Sequence, residues 1–127
     1  MSYRRDELSK AEEEVLKALW NLGSATVREV HERLTHDRPR AYTTVLTFLG
    51  RLEAKGFVAS DKTGPAHVFR PVVSRQALLA RRLARLVDEV CEGTAAPVVH
   101  ALVEGHRLSR DDIKQLRRLL DDLEKKN

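Results

Sequence analysis

Residues 38–56 read RPRAYTTVLTFLGRLEAKG, and how they divide between two helical faces decides what the rest of the chain must be. At helical spacing, Val45, Phe48, Leu49 and Leu52 form an apolar stripe, with Tyr42 and Ala41 one turn earlier on the same side. That side is expected to pack into a core. Opposite it lie Arg40, Thr43, Thr44, Thr47 and Arg51, with no carboxylate before Glu53. Three threonines are poor material for an exposed helix face, because β-branching lowers helix propensity. Their hydroxyls can bond phosphates or base edges and their methyls can touch the thymine methyl, which suits a helix lying in a DNA major groove. An ordinary surface helix with incidental threonines is the alternative, and the flanking segments must decide between the two.

A chain of 127 residues with 42% apolar content is long enough for one domain, or a small domain with an appendage, and should fold without staples. Cys91 is the sole cysteine, so no intrachain disulfide forms. No N-terminal apolar run resembles a signal peptide or a membrane span, so a cytoplasmic location without membrane insertion is expected. The net charge of +4 and pI near 9.5 are compatible with a nucleic-acid partner, although many basic proteins bind none. The distribution says more. Between positions 33 and 70 the cations Arg33, Arg38, Arg40, Arg51, Lys55, Lys62 and Arg70 are opposed only by Asp37, Glu53 and Asp61, so this segment alone carries the whole-chain excess.

Upstream, residues 1–7 are polar and expected to fray. Ser9 and Glu12 then make an S-x-x-E capping box ahead of a stripe of Ala11, Val15, Ala18, Leu19 and Leu22, which predicts a helix over 10–22 stopped by Gly23. Trp20 reads as a partly buried core residue rather than a ligand platform. A second capping box, Thr26 with Glu29, opens a short helix ending near Thr35, with Val27, Val30 and Leu34 facing inward. The connection through His36, Asp37, Arg38 and Pro39 is short, and Pro39 suits the first turn of the third helix. Tightly joined short helices suggest helix-turn-helix.

Downstream of Gly56, residues 57–60 and 66–70 read as two short strands around a turn at Thr63, Gly64 and Pro65. Lys62 would sit near the tip of this hairpin, placed either for phosphate or simply as a solvated loop lysine. From Arg75 the composition turns to leucine and arginine. Leu79, Leu83, Leu86, Val87 and Val90 make one stripe; residues 95–103, with Val98 and Leu102, form a short apolar helix with Pro97 in its first turn. Ser109 and Asp112 cap a last helix striped by Ile113, Leu116, Leu119, Leu120 and Leu123. Three apolar helices without a sheet to cover them bury too little by themselves. A homodimer is the economical solution, and the alternative is a monomer in which they fold back on the N-terminal part.

With helix, helix, helix and wing in place, the sequence resembles the penicillinase-repressor family of bacterial regulators (the BlaI, MecI and CopY type) over nearly its whole length. The likeness rests on E-x-x-V-L-x-x-L-W at 12–20, T-V-R-E-V at 26–30, A-Y-T-T-V-x-T-x-L-x-R-L-x-x-K-G at 41–56 and V-F-R-P at 68–71, the A-Y-T-T-V block being the most specific. The resemblance implies a mainly α fold with a small β-hairpin wing: a winged helix-turn-helix DNA-binding domain over 1–73 and a helical dimerisation domain over 74–127. The dimer would repress transcription from dyad-symmetric, palindromic operators. By position, 40–51 looks like the recognition helix and the turn around Lys62 like the wing.

Family members that respond to beta-lactams are cleaved in the C-terminal domain by a membrane-bound sensor protease. Copper-responsive members carry a C-terminal cysteine cluster, from which this chain departs, since Cys91 is alone. The candidate DNA-binding residues are therefore Arg38, Arg40, Tyr42, Thr43, Thr44, Thr47, Arg51 and Lys62. The candidate dimerisation residues are Leu79, Leu83, Leu86, Val90, Val98, Leu102, Ile113, Leu116, Leu119, Leu120 and Leu123.

Enzymatic chemistry finds no support: there is no Gly-rich phosphate loop, no H-E-x-x-H and no evident nucleophile setting. His31, His36, His67, His100 and His106 make no zinc pattern, so neither metal nor cofactor is expected. The rival functions are a winged-helix module that binds protein, for which acids on the third helix would be expected, and an activator or ligand-responsive regulator of the same fold.

Overall fold

The computed structural model describes residues 8–36 and 38–127; the polar start at 1–7, expected to fray, and Asp37 lie outside them. The order is α1 (Lys10–Leu22), β1 (Ala25–Thr26), α2 (Val27–Thr35), α3 (Tyr42–Ala54), β2 (Val58–Asp61), β3 (Val68–Pro71), α4 (Arg75–Val90), α5 (Ala96–Glu104) and α6 (Arg110–Lys126). Two compact units result, Met1–Leu79 and Ala80–Asn127. The compositional break at Ser74 coincides with the start of α4, whereas the first unit runs on through that helix's first turn because Leu78 is buried in its core.

Both predicted capping boxes of the first unit are present. Ser9 Oγ accepts from the Glu12 N–H while Glu12 Oε1 accepts from the Ser9 N–H, and Thr26 and Glu29 do the same for α2. Gly23 closes α1 at φ 88°, a conformation that disfavours any side chain. The core between α1, α2, α3 and the sheet is built from Val15, Leu16, Leu19, Val30, Val45, Leu49, Leu52, Phe57 and Phe69. Fully burying each such leucine or phenylalanine contributes roughly 1.5–3 kcal/mol. Leu16, absent from the expected stripe, is fully buried, while Leu22 is 38% exposed at the C-terminal end of α1.

The third helix begins at Tyr42 with Ala41 as an extended N-cap residue that offers no side-chain bond. Pro39 therefore precedes the helix rather than opening it, and Arg40 lies outside it. Tyr42 and Ala41 are exposed, contrary to the expected core side, because Val45, Leu49 and Leu52 already fill the space beneath α3. Tyr42 instead meets the His31 ring edge-on at 5.7 Å between centroids.

The sheet has three strands in the order β1-β3-β2, all antiparallel, with Phe69 of β3 opposite Ala25 on one side and Ser60 on the other. The strand Ala25–Thr26 went unforeseen, since two residues are too few to show alternation. The two hairpin strands begin one and two residues later than their composition suggests. Gly56, at φ 85°, reverses the chain between α3 and β2, where the Phe57 N–H donates to the Leu52 carbonyl. At the far end Asp61 Oδ1 accepts from both the backbone N–H and the hydroxyl of Thr63, which fixes the start of the wing turn.

In the second unit α6 carries its predicted Ser109–Asp112 capping box, and Pro97 lies in the first turn of α5. None of the residues of this unit is buried. Leu83, Leu86, Val90, Leu102, Ile113, Leu116, Leu119, Leu120 and Leu123 are all exposed, as is Leu79 at the end of the first unit, and Val98 is half-buried. Among the described residues no helix is long and apolar enough to cross a membrane.

Candidate nucleic-acid interface

The outer face of α3 is made of residues that the core leaves over. Thr43, Thr44, Thr47 and Arg51 are all exposed there, with no acid in the first turn of the helix. The Thr47 hydroxyl donates to the Thr43 carbonyl at 2.9 Å, which fixes its rotamer and leaves its oxygen lone pairs outward. Among the described residues the Thr43 and Thr44 hydroxyls have no protein partner, so both remain available to an external one. The Arg51 guanidinium lies 5.5 Å from the centre of the Phe48 ring, a cation–π contact that steadies it close to the helix.

The two arginines before α3 have a different setting. Arg40 pairs with the Glu14 carboxylate of α1, and its side chain is only 16% exposed. Arg38 lies 3.6 Å from the same carboxylate but is 66% exposed. His31 Nε2 donates to the Arg40 carbonyl at 2.7 Å, which fixes the tautomer with its proton on Nε2. Glu14, His31 and Tyr42 thus hold the entry to α3 in place, and neither Glu14 nor His31 carries a local sequence signal for that task.

The wing is tied to the other end of α3. The Ser60 hydroxyl donates to Glu53, and Lys62 Nζ lies 3.6 Å from the second oxygen of the same carboxylate. The Ser60 bond, aided by Lys62, holds the Glu53 carboxyl below its ordinary value against the opposing effect of desolvation. Lys62 is still 57% exposed, so a partner could draw it away. Between the wing and the helices runs a groove lined by Thr26, Arg28, Tyr42, Leu46, Pro65 and His67. Leu46 was not singled out by the apolar pattern; it is 44% exposed on the outer side of α3.

Three helices and a hairpin wing, with a hydroxyl-rich third helix facing outward, define the candidate surface. A model of the family described as penicillinase repressor matches residues 8–122. The chain belongs to the penicillinase repressor family. Among its relatives in that family is the transcriptional regulator BlaI of Mycobacterium tuberculosis, 35% identical over 120 residues that span 92% of this chain and 85% of that protein. The penicillinase repressor of Bacillus licheniformis is 27% identical over 116 residues, 91% of each chain. Among solved structures, the DNA-binding domain of the repressor BlaI is similar at 29% identity and a TM-score of 0.52, covering 60% of this chain and 93% of that domain. The matched family members are thus named as regulators and repressors rather than enzymes, and the winged-helix fold expected of a penicillinase repressor is the one found here.

Proposed function

We propose that the chain is a DNA-binding transcriptional repressor that acts as a homodimer on a palindromic operator. The observation that carries this reading is the face of α3: three exposed threonines and Arg51, free of carboxylates, on a helix whose beginning and end are both anchored to neighbouring elements. Such rigidity lets a few polar contacts discriminate sequence. In this reading α3 enters the major groove, Thr43, Thr44 and Thr47 approach base edges, and Arg51, Arg38 and Lys62 neutralise phosphates. Tyr42, at the start of the helix, lies against the backbone or the wall of the groove. Arg40 is occupied by Glu14, so its contribution is to position the helix rather than to pair with phosphate.

Pairing of two chains is supported by the second unit, whose apolar side chains stand exposed along all three of its helices. A second copy would cover them and set the half-site spacing. Linked binding of two half-sites raises affinity by roughly 10²–10⁴ over one, so a signal that parts the two chains would suffice to release the promoter. Cleavage in the second unit by a membrane-bound sensor protease, the response of the beta-lactam-sensing members, is one such signal.

The test is selection of duplexes from a random pool by the purified chain, with sedimentation equilibrium alongside. Enrichment of inverted repeats by a two-chain species is expected. A chain that sediments as one subunit and selects no sequence at low salt refutes the proposal. Leu119→Glu with Leu120→Glu should give single subunits that still fold but hold the selected duplex at least a hundredfold more weakly.

A further inference from the structure

Of the two large hydrophobic side chains exposed on α3, Tyr42 meets the His31 ring, whereas Leu46 is accounted for by neither the core nor the sheet. Leu46 is 44% exposed, whereas its neighbours Val45 and Leu49 are completely buried. It lies one turn after Tyr42 and one turn before Gly50, with Thr43 and Thr47 beside it on the helix surface. Gly50 is the second anomaly. A glycine in a helix interior weakens the helix relative to alanine, yet a Cβ added here would meet nothing within 4 Å, and its backbone has no left-handed angle. Among the described residues, no contact requires position 50 to lack a side chain. An apolar projection followed one turn later by bare backbone suits a surface that another molecule approaches closely at that point.

The chemistry of leucine narrows what it can read. It has no donor or acceptor, and among the base edges displayed in a major groove only thymine offers an apolar group, its 5-methyl. Opposite any other base, Leu46 would cover a donor or acceptor without replacing the hydrogen bond lost to water.

We infer that Leu46 is a specificity-determining residue of α3 that packs against a thymine 5-methyl in each half-site, with Gly50 clearing the approach. This contact rests on the DNA-binding reading above. It adds an apolar determinant to the polar threonines and predicts a thymine whose recognition needs no hydrogen bond.

The experiment uses the full chain and a duplex it has selected from a random pool, with thymines replaced by uracil one symmetric pair at a time. Uracil keeps every pairing edge and removes only the methyl. One pair of replacements is expected to weaken binding about four- to fifteenfold, the scale of partly to fully burying one methyl in each of two half-sites. Leu46→Ala and Leu46→Gln should bind thymine and uracil duplexes equally at that position, with wild-type helicity. Glutamine retains the length and helix propensity of leucine, so it serves if the alanine variant folds poorly. Indifference of the wild type to every uracil replacement, or an unchanged thymine preference in both variants, overturns the contact while leaving the DNA-binding reading intact. A chain that selects no duplex overturns both.

Discussion

Lys55 Nζ lies 2.6 Å from Glu12 Oε1, so the residue that closes α3 is paired with the residue that caps α1. The Glu12 side chain is 3% exposed and that of Lys55 32%, which puts a carboxylate inside the first unit with one ammonium and the Ser9 N–H as partners. The pair fixes the C-terminal end of α3 against α1, just as Arg40 and Glu14 fix its entry.

Burial of Glu12 raises its pKa, but the Lys55 and Ser9 hydrogen bonds together outweigh it and hold the carboxyl below its ordinary 4.5. A folded-state value lower than the unfolded one means stability that is complete above the unfolded pKa and is lost as pH falls through the folded one. Urea unfolding should therefore give a constant midpoint above about pH 5 and a falling one below pH 4.5, with a shallower fall in Glu12→Gln. Lys55→Met should cost about 1–3 kcal/mol at pH 7, since it leaves a buried carboxylate short of its cation. An unchanged midpoint in Lys55→Met would show the pair to be incidental.

Arg40 and Arg51 should separate under the same assay. Arg51→Ala is expected to leave the melting temperature within a degree or two, to weaken selected and unselected duplexes alike, and to lower the salt slope by about one. Arg40→Ala should lower the melting temperature, because it leaves Glu14 without its closest cation and loosens the entry to α3. Calorimetry and anisotropy titrations at several salt concentrations distinguish the two patterns.

Gly50→Ala should stabilise the fold by roughly 0.5–1 kcal/mol, because alanine restricts the unfolded chain and fits the helix without a clash. The same substitution should weaken binding to the selected duplex, since it adds a methyl where the groove comes close. A more stable protein with undiminished affinity would place Gly50 outside the contact.

Leu78 decides where the first unit can be cut. It is 4% exposed and packs in the core although it belongs to α4. A fragment ending at Ala84 should fold, whereas one ending at Ser74 should be less stable by about 2–4 kcal/mol, the usual result of emptying a buried leucine site. Trp20 gives the readout: its indole N–H donates to the Val73 carbonyl at 2.9 Å and its ring lies under Arg75 at 4.9 Å. Loss of that setting in the shorter fragment should shift its fluorescence.

Whatever closes within one turn of chain is legible from the residues alone. The pairs Ser9–Glu12, Thr26–Glu29 and Ser109–Asp112 each complete their hydrogen bonds three residues apart, so the starts of α1, α2 and α6 were readable from spacing alone. The threonine face of α3 was equally plain, because the apolar stripe behind it fixes which way the helix turns. Tertiary structure alone decided the fate of the long polar side chains. Arg38 and Arg40 stand two residues apart and both reach the Glu14 carboxylate of α1, yet only Arg40 is largely covered, and Lys62 leans on Glu53 across the turn between α3 and the wing. Only folding could reveal β1, Leu78 in the core or Leu46 in the open. A cation pairs with whichever carboxylate the fold brings within reach, and an apolar residue at the edge of a stripe is buried only if a neighbouring element arrives to cover it.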